Sequence, residues 1–289
     1  MLSPASHKDS PVSLSGLTLR GRRPLGRRRG LTLAELLIAT TIMLMISSGM
    51  AMLSMAVHSA NDYCRGELDC AQHARVVLAR IEQAMAGAVA SEPFPACLVV
   101  TEQAGAEQLP QALVVWHPPT TALNPTGLPL VGEIVVFTPD PAAPSTLLEI
   151  RSPTDTTVVP AVSNTSAWRT LVDQLKTSQT ADKIALTNRL RTAPLSGNWN
   201  ANLSAAQLRG VVRFRCLITP SVSEWTQYRA GTRTWQNITW PLNSVRSTSG
   251  TRTVVAQTEL QLVGGNMAGA TSTAVPFFGS ALLSYELAR

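Results

Sequence analysis

A carboxylate at the mouth of a long apolar run is the residue of this chain most able to do chemistry. Glu35 precedes Leu36–Val57, LLIATTIMLMISSGMAMLSMAV, a run of 22 residues without a charge. At about 1.5 Å per residue a helix of that length covers about 33 Å, enough for the hydrocarbon of a bilayer. A carboxylate carried well into such a layer costs about 2.5–3.5 kcal/mol on insertion scales. A residue in that position normally has a partner or a function. The run is preceded by Arg27-Arg28-Arg29. The positive-inside rule keeps those arginines in the cytoplasm and puts everything after about His58 outside. A secretory signal has the same order, but its apolar part is usually about 7–15 residues and ends at a small-residue cut site. Here the run is longer and the nearest such site, His58-Ser59-Ala60, is poor.

Four cysteines, Cys64, Cys70, Cys97 and Cys216, face an oxidising compartment in that topology. Cys64 and Cys70 are six apart, about 9 Å along a helix, so a bond between them needs the helix broken. Pairing of Cys97 with Cys216, pairing of Cys70 with Cys97, and free buried thiols all stay open. His7, His58, His73 and His117 are scattered. Cys70 and His73 share a helical face, but with Cys64 they match no zinc spacing. There is no nucleophile motif, phosphate loop or calcium loop. The expectation is a protein without catalytic residues, metal or cofactor, and not an enzyme.

The formal charge of +6 suggests a nucleic-acid binder until it is located. Residues 1–30 carry Lys8, Arg20, Arg22, Arg23, Arg27, Arg28 and Arg29 against Asp9, and the rest of the chain is neutral. A basic DNA-binding domain is not supported. Within the rest, residues 92–149 hold Glu92, Glu102, Glu107, Glu133, Asp140 and Glu149 and no Lys or Arg. Residues 209–252 hold Arg209, Arg213, Arg215, Arg229, Arg233, Arg246 and Arg252 against Glu224. These surfaces are solvated, pair within the fold, or meet across subunits. Trp225, Tyr228, Trp235 and Trp240 lie among those arginines; a core role fits them better than stacking on nucleic acid.

No proline occurs from Leu31 to Glu92, which predicts one long helix over 31–92 with a membrane span at about 36–57. Cys70, Ala74, Val77, Ile81, Ala84 and Ala88 repeat at intervals of four and three, one apolar stripe for a globular head. Ser47-Ser48-Gly49 is the weakest part of the apolar half, a place to bend when helices pack or to let them approach closely. Residues 93–289 form that head. Ala112–Trp116, Gly132–Thr138, Thr146–Arg151, Val211–Thr219, Val254–Val263 and Phe277–Leu287 read as strands. Gly132–Thr138 and Thr146–Arg151 are joined as a hairpin through Pro139-Asp140-Pro141-Ala142-Ala143-Pro144. Trp168–Lys176 and Ala181–Leu190 read as short helices. The fold class is α+β, with a mainly antiparallel sheet over the second half of the helix.

Arg27-Arg28-Arg29-Gly30-Leu31-Thr32-Leu33-Ala34-Glu35 resembles the cleavage and methylation site of type IV prepilins and type II secretion pseudopilins. Leu31 stands where Phe is commonest in that family, and the leader of residues 1–30 is longer than usual. The resemblance implies a lollipop-shaped pilin fold, cleavage after Gly30, N-methylation of Leu31, and pairing of Glu35 with the terminal amine of a neighbouring subunit. It implies as partners a prepilin peptidase/methyltransferase, other pilins or pseudopilins and the inner membrane, with no nucleic acid. The strand pair ending LLEIRS, the strand through Cys216 and the nearby Trp225 are most similar to minor pseudopilin J and minor pilin W. On this reading Arg229, Arg233 and Arg246 are candidates for a subunit contact in a pilus or pseudopilus. The alternative is a stand-alone membrane-anchored extracytoplasmic binding protein that does not polymerise.

Overall fold

The computed structural model describes residues 32–104, 107–195, 204, 207–241, 244–264 and 274–289. The leader, Gly30 and Leu31 lie outside the described residues. The chain divides into two compact units, Met1–Ala56 and Val57–Arg289. One helix, α1 (Leu33–Ala86), contributes residues to both.

In the first unit every residue from Thr32 to Ala56 is exposed. This helix is long and apolar enough to cross a membrane, and none of its apolar window is buried. Its hydroxyls bond back to the helix: Thr41 Oγ1 donates to the Leu37 carbonyl at 2.7 Å and Ser48 Oγ to the Met45 carbonyl at 2.9 Å. Thr40, Thr41 and Ser48 thereby satisfy their own donors within the helix, which lessens the polarity they add to an apolar surface. The helix is unbroken through Ser47-Ser48-Gly49.

In the second unit, Cys70, Ala74, Val77, Ile81, Ala84 and Met85 form the buried stripe of α1. The helix stops at Ala86 instead of continuing to Glu92. Gly87 sits so close to His117 that a Cβ there would lie 2.7 Å from Nε2. Two residues on, the Val89 N–H donates to the Trp116 carbonyl at 2.9 Å. A backbone group bound to a strand cannot also extend the helical ladder. Ala88 thus leaves the helix but still packs on the same core.

Five antiparallel strands lie side by side in chain order: β1 (Cys97–Ala104), β2 (Glu107–Trp116), β3 (Ile134–Pro139), β4 (Leu147–Arg151) and β5 (Asp182–Thr187). β3 and β4 pair through Pro139↔Leu147 to Val136↔Ile150, which makes the proline-rich connection a hairpin as expected. Both faces of this sheet are covered, so β3 reads as an unbroken apolar run rather than an alternation. Leu113, Val115, Val135, Phe137 and Leu147 enter the core that holds the α1 stripe. Val114, Trp116, Val136 and Ile150 enter a second core, closed by helix α2 (Thr165–Thr177) through Trp168, Val172 and Leu175. The Asn164 side chain caps α2 by accepting from the Ala167 N–H at 3.1 Å.

The expected helix over Ala181–Leu190 is a strand instead. Asp182–Thr187 pairs with the open edge of β4, Glu149 opposite Ile184, and is exposed over most of its length. Backbone bonding to a waiting edge outweighs the helix preference of Lys, Ala and Leu in so short a segment. β1 was not anticipated from the sequence either.

Beyond a two-stranded ribbon of β6 (Thr192–Pro194) and β7 (Leu208–Gly210) comes a second sheet, β10-β9-β8. It comprises β8 (Val212–Thr219), β9 (Ser249–Leu262) and β10 (Val275–Ala288), the last two longer than the alternation suggested. Val212, Phe214, Val254, Ala256, Leu260 and Leu262 turn inward onto the α1 stripe, and Arg213 and Arg215 turn out. Helix α3 (Val222–Arg229) follows β8, capped by Ser221 and Glu224. The second unit is therefore α+β, with antiparallel sheets that share one core with the stripe of α1 and a second core with α2.

Candidate functional site

Thr32 stands immediately before α1. Its N–H and Oγ1 both donate to Glu35 Oε2 at 2.9 Å, and the Glu35 N–H donates back to Thr32 Oγ1 at 3.3 Å. This is a reciprocal capping box, in which Thr and Glu three apart satisfy orphan donors of the helix start. Glu35 therefore has a local partner that the sequence reading overlooked. The signal was present as Thr32-Leu33-Ala34-Glu35 ahead of an apolar run. Both donors of Thr32 go to Oε2, and Oε1 has no partner among the described residues.

A second carboxylate, Glu149 on β4, is fully buried and held by two arginines. Arg80 of α1 donates from Nε and Nη2 at 2.6 and 3.0 Å, and Arg151 from Nε at 2.9 Å. Burial alone would raise the Glu149 carboxyl; the bonds and charges of the two arginines outweigh it and hold it below the usual range. The bidentate pair ties α1 to the five-stranded sheet.

The expected charge segments largely find partners inside the fold. Glu92 pairs with Arg229 at 2.9 Å, Glu102 with Lys176 at 2.5 Å, and Arg233 with Glu224 at 2.9 Å. Glu133 accepts the backbone N–H groups of Leu123 and Leu130, and Asp140 that of Ala142. Of the three arginines singled out for subunit contact, Arg229 and Arg233 are thus engaged internally. The exposed Arg246 has no acidic partner among the described residues. Trp225 and Trp235 are buried and pack with Tyr228 and Trp240 at centroid distances of 4.6 to 6.4 Å. These rings form a small core, with Tyr228 and Trp240 partly buried at its edge. Arg252 closes that core, fully buried, 5.5 Å from the Trp225 ring and 3.4 Å from Tyr285 Oη.

The cysteines separate into three situations. Cys64 is exposed on α1, and Cys70 is buried in its stripe, where burial pushes the thiol up. Cys97 and Cys216 come together from β1 and β8 with their sulfurs 3.0 Å apart. His73 lies beside Asp69 at 3.6 Å.

Comparison with protein-family models, with curated proteins and with solved structures found no match to this chain.

Proposed function

We propose that this chain is a minor pilin or pseudopilin, a non-enzymatic structural or priming subunit of a type IV pilus or type II secretion pseudopilus. It is inserted in the inner membrane with its leader in the cytoplasm and its head outside, as a lollipop. Prepilin peptidase cuts it after Gly30 and the new terminus at Leu31 is methylated. The observation that carries the reading is the division of α1. Its first stretch is apolar and exposed on all sides from a capped Glu35 onward, and its second stretch is buried in the head. The first stretch serves first the bilayer and then the helices of neighbouring subunits. The free oxygen of Glu35 receives the neighbour's terminal amine, since opposite charges in a low dielectric relieve one another's burial cost. On the same reading we place the chain with the group of minor pseudopilin J and minor pilin W, on the strand pair ending LLEIRS, the strand through Cys216 and the nearby Trp225.

One observation favours a second reading. The capping box gives Glu35 a purely local task, which a plain membrane anchor with a non-polymerising binding head would also use. Gln fills the third position of a capping box as well as Glu does, but carries no charge. The test is co-expression with a prepilin peptidase, N-terminal sequencing of the product, and comparison of Glu35→Gln with Glu35→Ala. The filament reading expects a methylated terminus at Leu31, and failure of both variants to enter filaments. An uncut chain that stays out of filaments would overturn it in favour of the anchor, whereas a Glu35→Gln variant that enters filaments like the parent would remove the Glu35 charge from assembly while leaving the filament reading in place.

A further inference from the structure

We propose that Cys97 and Cys216 form a disulfide in the mature protein, a covalent staple between the two sheets; this rests on the extracytoplasmic placing of the head. The two thiols lie at the join of two separate hydrogen-bonded systems. β1 is an edge strand of the five-stranded sheet and β8 an edge strand of the three-stranded one. Backbone ladders run within each sheet, and among the described residues these two strands are joined by side chains and by the Cys216 thiol, which donates to the Cys97 carbonyl at 3.7 Å. Cys97 opens β1 and is fully buried, while Cys216 lies within β8 and is half-buried. Their sulfurs are 3.0 Å apart although the residues are 119 apart in sequence. Pairing of Cys70 with Cys97, the other pairing open from the sequence, finds no support: no thiol reaches Cys70 within bonding distance among the described residues.

The chemistry is thiol–disulfide exchange with a disulfide oxidant, R–S–S–R. The more accessible Cys216 loses its proton to solvent and attacks one sulfur of the oxidant, breaking its S–S bond and releasing RS⁻. The neighbouring Cys97 sulfur then attacks the Cys216 sulfur of the mixed disulfide, loses its proton and displaces the second RS⁻. Two cysteine thiols are oxidised, one oxidant disulfide is reduced to two thiols, and the protons end on the products. The hydrogen bond to Cys216 and burial push the Cys97 thiol well up, which lowers its thiolate fraction and slows the second step; the 3.0 Å approach of the two sulfurs works the other way, because the target is already in place. The closed loop encloses β2 to β7 and α2. Unfolding the five-stranded sheet can then no longer separate it from β8, and a long loop of this kind gains most from closure.

The test uses the full-length chain in membranes of cells that export it. Free thiols are alkylated under denaturing, non-reducing conditions, and the digest is read by mass spectrometry. The expected result is a Cys97–Cys216 linked peptide two hydrogens lighter than the pair of reduced peptides, with Cys64 and Cys70 alkylated. The linked protein should melt at higher temperature than the reduced one, and the Cys97→Ala, Cys216→Ala double variant should melt like the reduced parent. Alkylation of both Cys97 and Cys216, or a bond from either to another cysteine, overturns the proposal. A parallel sample, purified in detergent and treated with glutathione disulfide, separates the two ways of failing. If it links there but not in cells, the pairing is sound and the extracytoplasmic placing falls with the proposal. If it links in neither, the staple alone falls.

Discussion

Along α1, Leu36, Ile42, Leu44, Met50 and Leu53 are each more than half exposed, whereas Cys70, Ala74, Val77, Ile81 and Met85 are sealed beneath the two sheets. Both stretches belong to one continuous helix. In the second stretch apolar residues recur every three or four positions, and burying each of the larger ones, Val77, Ile81 and Met85, contributes about 1.5–3 kcal/mol. Packing holds that part in place, as it does most helices in folded proteins. In the first stretch apolar residues occur all round and nothing among the described residues covers them. Its order rests on the intrinsic ladder, the Thr32–Glu35 cap and self-bonded hydroxyls. On the proposed function the remaining stabilisation comes from lipid or from the helices of neighbouring subunits. A stripe names a partner within the chain; an all-round apolar surface asks for an environment outside it.

The strongest way to break this comparison is to place the same charge in each stretch. Val77→Asp buries an unpaired carboxylate in the main core and should cost about 4 kcal/mol or more, enough to unfold the head. Met43→Asp, at a site 72% exposed, should leave the thermal midpoint of the head in detergent unchanged. Its cost of about 2.5–3.5 kcal/mol should appear only in membrane integration. A large drop in head midpoint from Met43→Asp would mean that the two stretches are not energetically separate.

Legibility from sequence followed the same division. The α1 stripe was readable because helical periodicity is local, and five of its six expected members are buried within the helix. The end of the helix was not, because it is decided by the approach of Gly87 to His117 and by the Trp116 carbonyl, both distant in sequence. β8, β9 and β10 alternate and were legible as half-exposed strands. β5 was misread because its state depends on the free edge of β4, which no local pattern reports. For the site, the Thr32–Glu35 box was readable and overlooked. The meeting of Cys97 with Cys216, and of Arg80 with Glu149, needed the packed structure to choose among open pairings.

The link between α1 and the sheets can be sharpened at Glu149. Glu149→Ala strands Arg80 and Arg151 and should cost about 3 kcal/mol, the low end for a broken buried pair, because those side chains are 37% and 27% exposed and regain water. The pH dependence follows from the lowered carboxyl. With its folded value below the unfolded value of about 4.3, its stabilisation is present above the unfolded value. It is lost as pH falls through the folded value. Acid unfolding followed by circular dichroism should therefore show a limb below about pH 4 that shrinks in Glu149→Gln. An identical limb in that variant would locate acid sensitivity elsewhere.

The smallest expected effect separates internal pairing from contact between subunits. Arg229 and Glu92 are 55% and 45% exposed, so their bond at 2.9 Å should be worth at most about 1 kcal/mol and fade with salt. Arg229→Glu should lower the midpoint slightly, and adding Glu92→Arg should restore it by recreating the pair in reverse. Because Arg229 and Arg233 have internal partners, reversing both together with Arg246 would mix a stability loss with any assembly loss. Arg246→Glu alone avoids this: its side chain is exposed without an acidic partner among the described residues. The head should melt as the parent does, which makes Arg246 the cleanest probe of the proposed subunit contact. Loss of the variant from filaments at an unchanged midpoint would assign this arginine to a neighbour, and normal incorporation would remove it from the contact.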